Sequence, residues 1–340
     1  MKYVIAVHAG AGYLKPANEV KYKKLCKKAC NKGLEVIANN GSALEAVTLA
    51  TSVLEDSPIT NAGYGSNLTW NGTVECDASI MDGKSMHFGG IGAVSGVKNP
   101  IKLAKLICEK QNMQLSFGRI PPCLLVGQGA YDFAKANNIA IVDPHELITD
   151  KSKKQFVYNK YKVMKDNIDI PMNKSRLDTV GCVCIDNLGR TAASSSSGGI
   201  ILKHSGRVGQ SALLGSGCWA QINENVSIAV TTSGCGEHLM KTNLAKEISH
   251  QLMNNECPTF AINKSFNEHF FQSPLLSSYK EKLAGALVLY QNNDYYEILS
   301  AHSTKTMCFA YATESNHKSI VSRLTPSTSG NRLLVHGYPV

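Results

Sequence analysis

The residue pair with the most chemical promise is Asp178-Thr179, where a lysine-rich, weakly patterned stretch meets the alternating apolar segment Val180 to Ile185. A threonine hydroxyl is a poor nucleophile until a base takes its proton. One arrangement that supplies the base is an adjacent α-amino group, available only if the threonine is the first residue of a chain. Such an amine has an unperturbed pKa near ~7.7–8.0, whereas a lysine near ~10.4 is mostly protonated at working pH. Scission before Thr179 would therefore create base and nucleophile together. On residue chemistry alone, an ordinary surface Asp-Thr pair is the commoner explanation of the dipeptide.

Other matches are weaker. Gly90-Ile91-Gly92-Ala93-Val94 opens like a dinucleotide-binding loop, but Ser95 stands where the third glycine belongs. Gly215-Ser216-Gly217-Cys218-Trp219 lacks the preceding cysteine of a papain-type segment, and no Gly-x-Ser-x-Gly elbow occurs. The serines Ser194 to Ser197 read as the buried end of a strand. The 11 cysteines are scattered and form no CxxC pair, so zinc-ribbon and thioredoxin chemistry are unsupported.

These residues need a scaffold to hold them. With 340 residues and 43% apolar content the chain can bury a large core, which excludes disorder as its main state. Strands are expected at Val4 to Val7, Thr73 to Ile80 and Phe88 to Val94. Helices are expected at Asn18 to Ala38, Ser42 to Leu54 (capped by Ser42 with Glu45), Ile101 to Glu109 and Cys123 to Ala136. A hairpin follows Thr179, turning at Asn187-Leu188-Gly189, with further strands at Ser227 to Thr232, Ala286 to Tyr290, Tyr296 to Ala301 and Met307 to Ala312. A helix fits near Glu237 to Met253. Residues 143 to 177 read as a long basic loop. Strands and helices in both halves suggest sheets layered between helices.

The segments His8-Ala9-Gly10-Ala11-Gly12, Leu54-Glu55-Asp56-Ser57-Pro58, Thr60-Asn61-Ala62-Gly63, Glu75-Cys76-Asp77-Ala78-Ser79 and Asp178-Thr179-Val180-Gly181 resemble the asparaginase type 2 family of N-terminal-nucleophile hydrolases. Gly206-Arg207-Val208-Gly209 and Ser233-Gly234-Cys235-Gly236-Glu237-His238 extend the resemblance over nearly the whole chain outside 143 to 177. It implies an α/β fold, a four-layer αββα sandwich. It also implies self-cleavage between Asp178 and Thr179, giving an N-terminal subunit 1–178 with a basic flexible linker at about 143–178 and a C-terminal subunit 179–340. The two would form one folded domain. By the same resemblance Thr179 is the nucleophile, Ser197 orients it, and the Ser233 hydroxyl and Gly234 amide hold the oxyanion. Arg207, Gln210, Gly10, Asn67 and Gly236 would bind substrate. No cofactor is expected beyond a structural monovalent cation on the loop from Leu54 to Ala62.

Within the family the sequence looks closest to the threonine aspartase (taspase) branch. Asparaginases usually carry an aspartate where this chain has Gln210, and threonines where it has Ser197 and Cys235; Arg119-Ile120-Pro121-Pro122-Cys123 is also taspase-like. Losing the carboxylate at 210 removes the counter-charge for a substrate ammonium and leaves an amide able to bond a peptide N–H. The expectation is an endopeptidase that cuts proteins after aspartate, with Arg207 gripping the aspartyl side chain. Its partners by resemblance would be trithorax-type methyltransferases and the large subunit of transcription factor IIA. The alternatives are an L-asparaginase or isoaspartyl dipeptidase, and an inactive binding scaffold.

Net charge is +9, the excess falling in Lys15 to Lys32 and Lys151 to Arg176. The first run is a solvated helix face or, less commonly, a binding surface; the excess as a whole favours acidic partners. No nucleic-acid or membrane partner is expected. The apolar stretch after Lys2 is too short for a secretion signal, so a cytoplasmic and nuclear location is expected, not a secreted one. The subunit pair is expected to dimerise, as the family does.

Overall fold

The computed structural model describes residues 3–166, 178–293 and 295–340. Two sheets lie face to face. The larger is built from β1 (Val4–Gly12), β2 (Cys76–Asp82), β3 (Phe88–Val94), β4 (Leu124–Val126), β5 (Val180–Ile185), β6 (Thr191–Ser197), β11 (Thr306–Thr313) and β12 (His317–Arg323), in the order β12-β11-β1-β5-β6-β2-β3-β4. The smaller contains β7 (Cys218–Ile222), β8 (Val226–Gly234), β9 (Ala284–Asn292), β10 (Tyr295–His302) and β13 (Leu334–Pro339), ordered β13-β10-β9-β8-β7. Every pairing is antiparallel except β3 with β4.

The helices α1 (Glu19–Ala38), α2 (Ala43–Glu55), α3 (Pro100–Lys110) and α4 (Gly127–Ala136) cover the outer face of the larger sheet. α6 (Gly236–Thr242), α7 (Leu244–Met253) and α8 (Pro258–Lys264), with a π-helical turn at Ser265–Phe271, cover the smaller. The result is the four-layer αββα sandwich. Its two cores follow from strand alternation. On β5, Val183 and Ile185 face the other sheet while Cys182 and Cys184 face the helices. Both faces are buried, which explains why this strand reads as a continuous apolar run.

Local signals hold where the chain carries its own caps. Ser42 accepts from Glu45 N–H at 3.2 Å while Glu45 takes the Ser42 N–H at 2.8 Å, so α2 starts on a full capping box. The expected loop at 143–177 is corrected over much of its length. A helix, α5, spans Asp150–Asp166; residues 167–177 lie outside the described ones. Thr149 caps α5, its hydroxyl accepting from Ser152 N–H at 3.1 Å. Only a narrow stripe of the helix meets the protein. Phe156 packs on Leu68, Val74 and Leu147, and Lys160 lies over the Trp70 ring at 5.1 Å while donating to the Trp70 carbonyl at 3.0 Å. Val157, Tyr158, Tyr161 and Met164 stay exposed, which blurs the helical period in the sequence. The expected helix at 123–136 likewise begins as strand β4 before α4.

Candidate active site

Thr179 immediately precedes β5, and strand alternation places it with Gly181 and Val183 on the side facing the smaller sheet. Ser197 closes β6 on the same face, and the pairing of Val180 with Ser196 brings 179 and 197 opposite each other. The Thr179 hydroxyl donates to Ser197 Oγ at 3.3 Å and accepts from Gln210 Nε2 at 2.9 Å. Ser197 Oγ also accepts from Gly199 N–H at 3.0 Å, which fixes its direction. Gly181 is needed for the sheets to approach: a methyl group there would stand 2.0 Å from Thr231 Oγ1 and 2.6 Å from His8 Nε2.

His8 lies fully buried beneath the nucleophile, its Nε2 3.1 Å from Thr231 Oγ1. Thr231 spends its own proton on the Ser194 carbonyl at 2.8 Å, so Nε2 carries the hydrogen. Burial lowers the His8 pKa to about 3, against a smaller opposing pull from the Thr179 backbone. An imidazole that weakly basic is a poor general base near neutral pH. Cys235 is no rival nucleophile, since burial pushes its thiol up to about 11.

The loop carrying Arg207 and Gln210 is held from below. Asp77, almost wholly buried, accepts from Ala93 N–H at 2.9 Å and Gly209 N–H at 2.8 Å. Burial pushes its carboxyl up, and the cations of Lys203 and Arg207 pull it back. Lys203, itself buried, donates to the Glu75 carbonyl at 2.6 Å. Arg207 donates through Nε and Nη2 to Glu237 Oε1 at 3.0 and 2.6 Å. Burial opposes ionisation of Glu237, yet the guanidinium outweighs it and holds the carboxyl below its ordinary value. His8, Asp77, Lys203 and Glu237 were not singled out by residue type. Their signal was position, since His8, Asp77 and Glu237 lie inside the motif segments.

The remaining expected residues divide. Gly234 and Gly236 line the cavity at Thr179 together with Asn61, Ser197, Arg207, Gln210 and Asp178. Gly234 has φ 138°, and a side chain there would strike the Leu283 carbonyl at 2.6 Å. Ser233 accepts from Ala11 N–H at 2.9 Å. Two expected pocket residues lie elsewhere. Asn67 stands a layer behind: its Nδ2, like that of Asn61, donates to the Gly199 carbonyl at 2.8 Å, and its N–H donates to Asn61 Oδ1. Gly10 sits at φ 111° in the bulge of β1, between the paired residues His8 and Ala11, and serves the strand's geometry.

The expected cation loop was tested by its acceptors. Both lone pairs of the Ile59 carbonyl are taken, by the Tyr22 hydroxyl at 2.6 Å and the Lys151 ammonium at 3.2 Å. Leu54 and Ser57 carbonyls accept from the Thr60 hydroxyl at 2.6 and 2.9 Å. With an ammonium already at Ile59, a monovalent cation does not fit there, and no step below uses one.

The cavity at Thr179 measures about 10 Å³, room for about one water. The uncut chain therefore has no space for a substrate, and Asp178 forms part of the wall that closes it.

A family model described as asparaginase matches residues 1–321. The chain belongs to this family and has its N-terminal-nucleophile hydrolase fold. It is 40% identical over 267 residues to an isoaspartyl peptidase/L-asparaginase of Xenopus laevis, covering 78% of this chain and 81% of that one. A human isoaspartyl peptidase/L-asparaginase is 39% identical over 247 residues, 72% and 75% of the two chains. An isoaspartyl peptidase of Salmonella typhimurium is 35% identical over 256 residues, 73% and 78%.

These relatives overturn the endopeptidase expectation and support its first alternative. The expected protein substrates rested on that reading and fall with it. The structure supplies a physical reason. The endopeptidase reading assigned Gln210 to a substrate peptide N–H, but its amide donates to the nucleophile. Its substitution for aspartate is therefore no evidence for a polypeptide substrate. Among the described residues no helix is long and apolar enough to cross a membrane.

Proposed function

We propose that the protein is a self-processing hydrolase of β-aspartyl amides, acting on isoaspartyl peptides and L-asparagine. The observation that carries this is the Thr179 hydroxyl, held between Gln210 and Ser197 with Asp178 beside it on the cavity wall. Thr179 Oγ attacks the Asp178 carbonyl carbon, the Asp178–Thr179 C–N bond breaks, and the acyl group passes to oxygen as an ester. Water then cleaves the ester, leaving a carboxylate on Asp178 and a free amine and hydroxyl on Thr179.

In the processed enzyme the Thr179 amine takes the hydroxyl proton as Oγ attacks the β-carbonyl of substrate. It returns the proton to the departing ammonia or peptide amine, and water releases aspartate from the ester. Neither His8, with its pKa near 3, nor any other side chain bonded to Thr179 offers a base of suitable strength. Ser233 and Gly234 stabilise the oxyanion, and Arg207 grips the substrate α-carboxylate with its two-pronged fork. The two subunits remain one body, and a pair of such bodies is the proposed assembly.

Steady-state assays of purified protein with L-asparagine and with an isoaspartyl dipeptide test this reading. Turnover of at least one, with Arg207→Met raising KM about a hundredfold, is expected. Absence of turnover of either by fully processed protein would remove it.

A further inference from the structure

A second cavity, of about 300 Å³, lies on the far side of Asp178 from the nucleophile. Asp178 lines both cavities and so stands as the partition between them. The larger one is walled by Tyr13, Lys15 and Asn18 from the chain between β1 and α1, and by Gln155 and Tyr158 from α5. Lys15 is exposed, and Asn18, although it precedes α1, makes no side-chain cap bond. The volume is enough for one or two amino-acid residues.

The direction of a bound substrate follows from the proposed function, on which this inference rests. Its aspartyl head is anchored at Arg207, and its carbonyl lies at Thr179. The leaving group must then continue away from Arg207, across the place Asp178 holds before cleavage. We infer that the 300 Å³ cavity is the leaving-group subsite, opened when the new Asp178 terminus withdraws. Lys15 receives the carboxylate of the departing amino acid, and Tyr13 and Tyr158 flank its side chain. The preferred substrates are therefore isoaspartyl dipeptides, whose leaving group fills the subsite, while the ammonia of asparagine never reaches it.

Lys15→Met, a surface change, tests this in the processed enzyme. The kcat/KM for β-aspartyl-leucine is expected to fall about five- to tenfold through KM, with asparagine turnover changed less than about twofold. Wild-type enzyme should show a similar loss when the leucine carboxylate is converted to an amide, and Lys15→Met should then lose nothing more. Equal losses on dipeptide and asparagine, or no loss on either, would overturn the subsite. Processed wild type that cleaves neither substrate would instead remove the reading beneath it.

Discussion

The two sides of the Asp178–Thr179 bond are built differently. On the C-terminal side, β5 is buried on both faces and paired along both edges, with β1 and with β6. Burying Val180, Val183 and Ile185 stabilises that side by about 1.5–3 kcal/mol each. On the N-terminal side, α5 rests on a stripe around Phe156 and on lysine contacts to backbone carbonyls, with its other face in solvent. The contrast shows why scission here is useful. The new amine stays where the nucleophile already was, and the part that has to move is the part held weakly.

This contrast can be broken or sharpened by substitution. The largest expected effect is from Thr179→Ala, which should leave a single uncut chain without measurable hydrolysis, as seen by gel and activity assay. Gly181→Ala comes next: its methyl group would collide with Thr231 and His8, costing about 3 kcal/mol of stability in denaturant titration and hindering processing. Gln210→Ala removes one hydrogen bond to the nucleophile and should slow processing about tenfold in a time course. Lys160→Ala, on the weakly held side, should cost no more than about 1 kcal/mol and leave processing intact.

A pH series adds an independent check on the anchored core. Glu55 is fully buried and its pKa is raised to about 8, because burial outweighs its bonds from Ser196 and the Ile101 N–H. A carboxyl whose folded pKa exceeds its unfolded value favours the folded state most fully below about pH 4.5, and that contribution fades as pH rises through about 8. Wild-type stability should therefore decline between those limits, and Glu55→Gln should flatten the decline in unfolding curves.

How much of this was legible beforehand depended on where each signal resided. Ser42 and Glu45 announce α2 because the cap lies within four residues. The hairpin from Val180 to Ser197 was readable because alternation and a turn are also local. α5 was missed because the residues that hold it, Leu68, Trp70 and Ile59, are about 80 to 100 positions away. At the site, Thr179, Ser197 and Arg207 could be proposed from motif and chemistry. The meaning of Gln210 could not, since its amide and the Thr179 hydroxyl meet only when two distant segments fold together. Asn67 and Gly10 carried motif signals too, but those signals reflected shape: one pins the Gly199 carbonyl and the other bends β1.

The central claim is that catalysis begins with a terminus made by the chain itself. Intact mass and N-terminal sequencing of the active species, alongside its asparagine and isoaspartyl-dipeptide turnover, test it directly. The expected result is two fragments, 1–178 and 179–340, with threonine first in the second and activity rising in step with the cut. An uncut chain that turns over substrate at the full rate would contradict it.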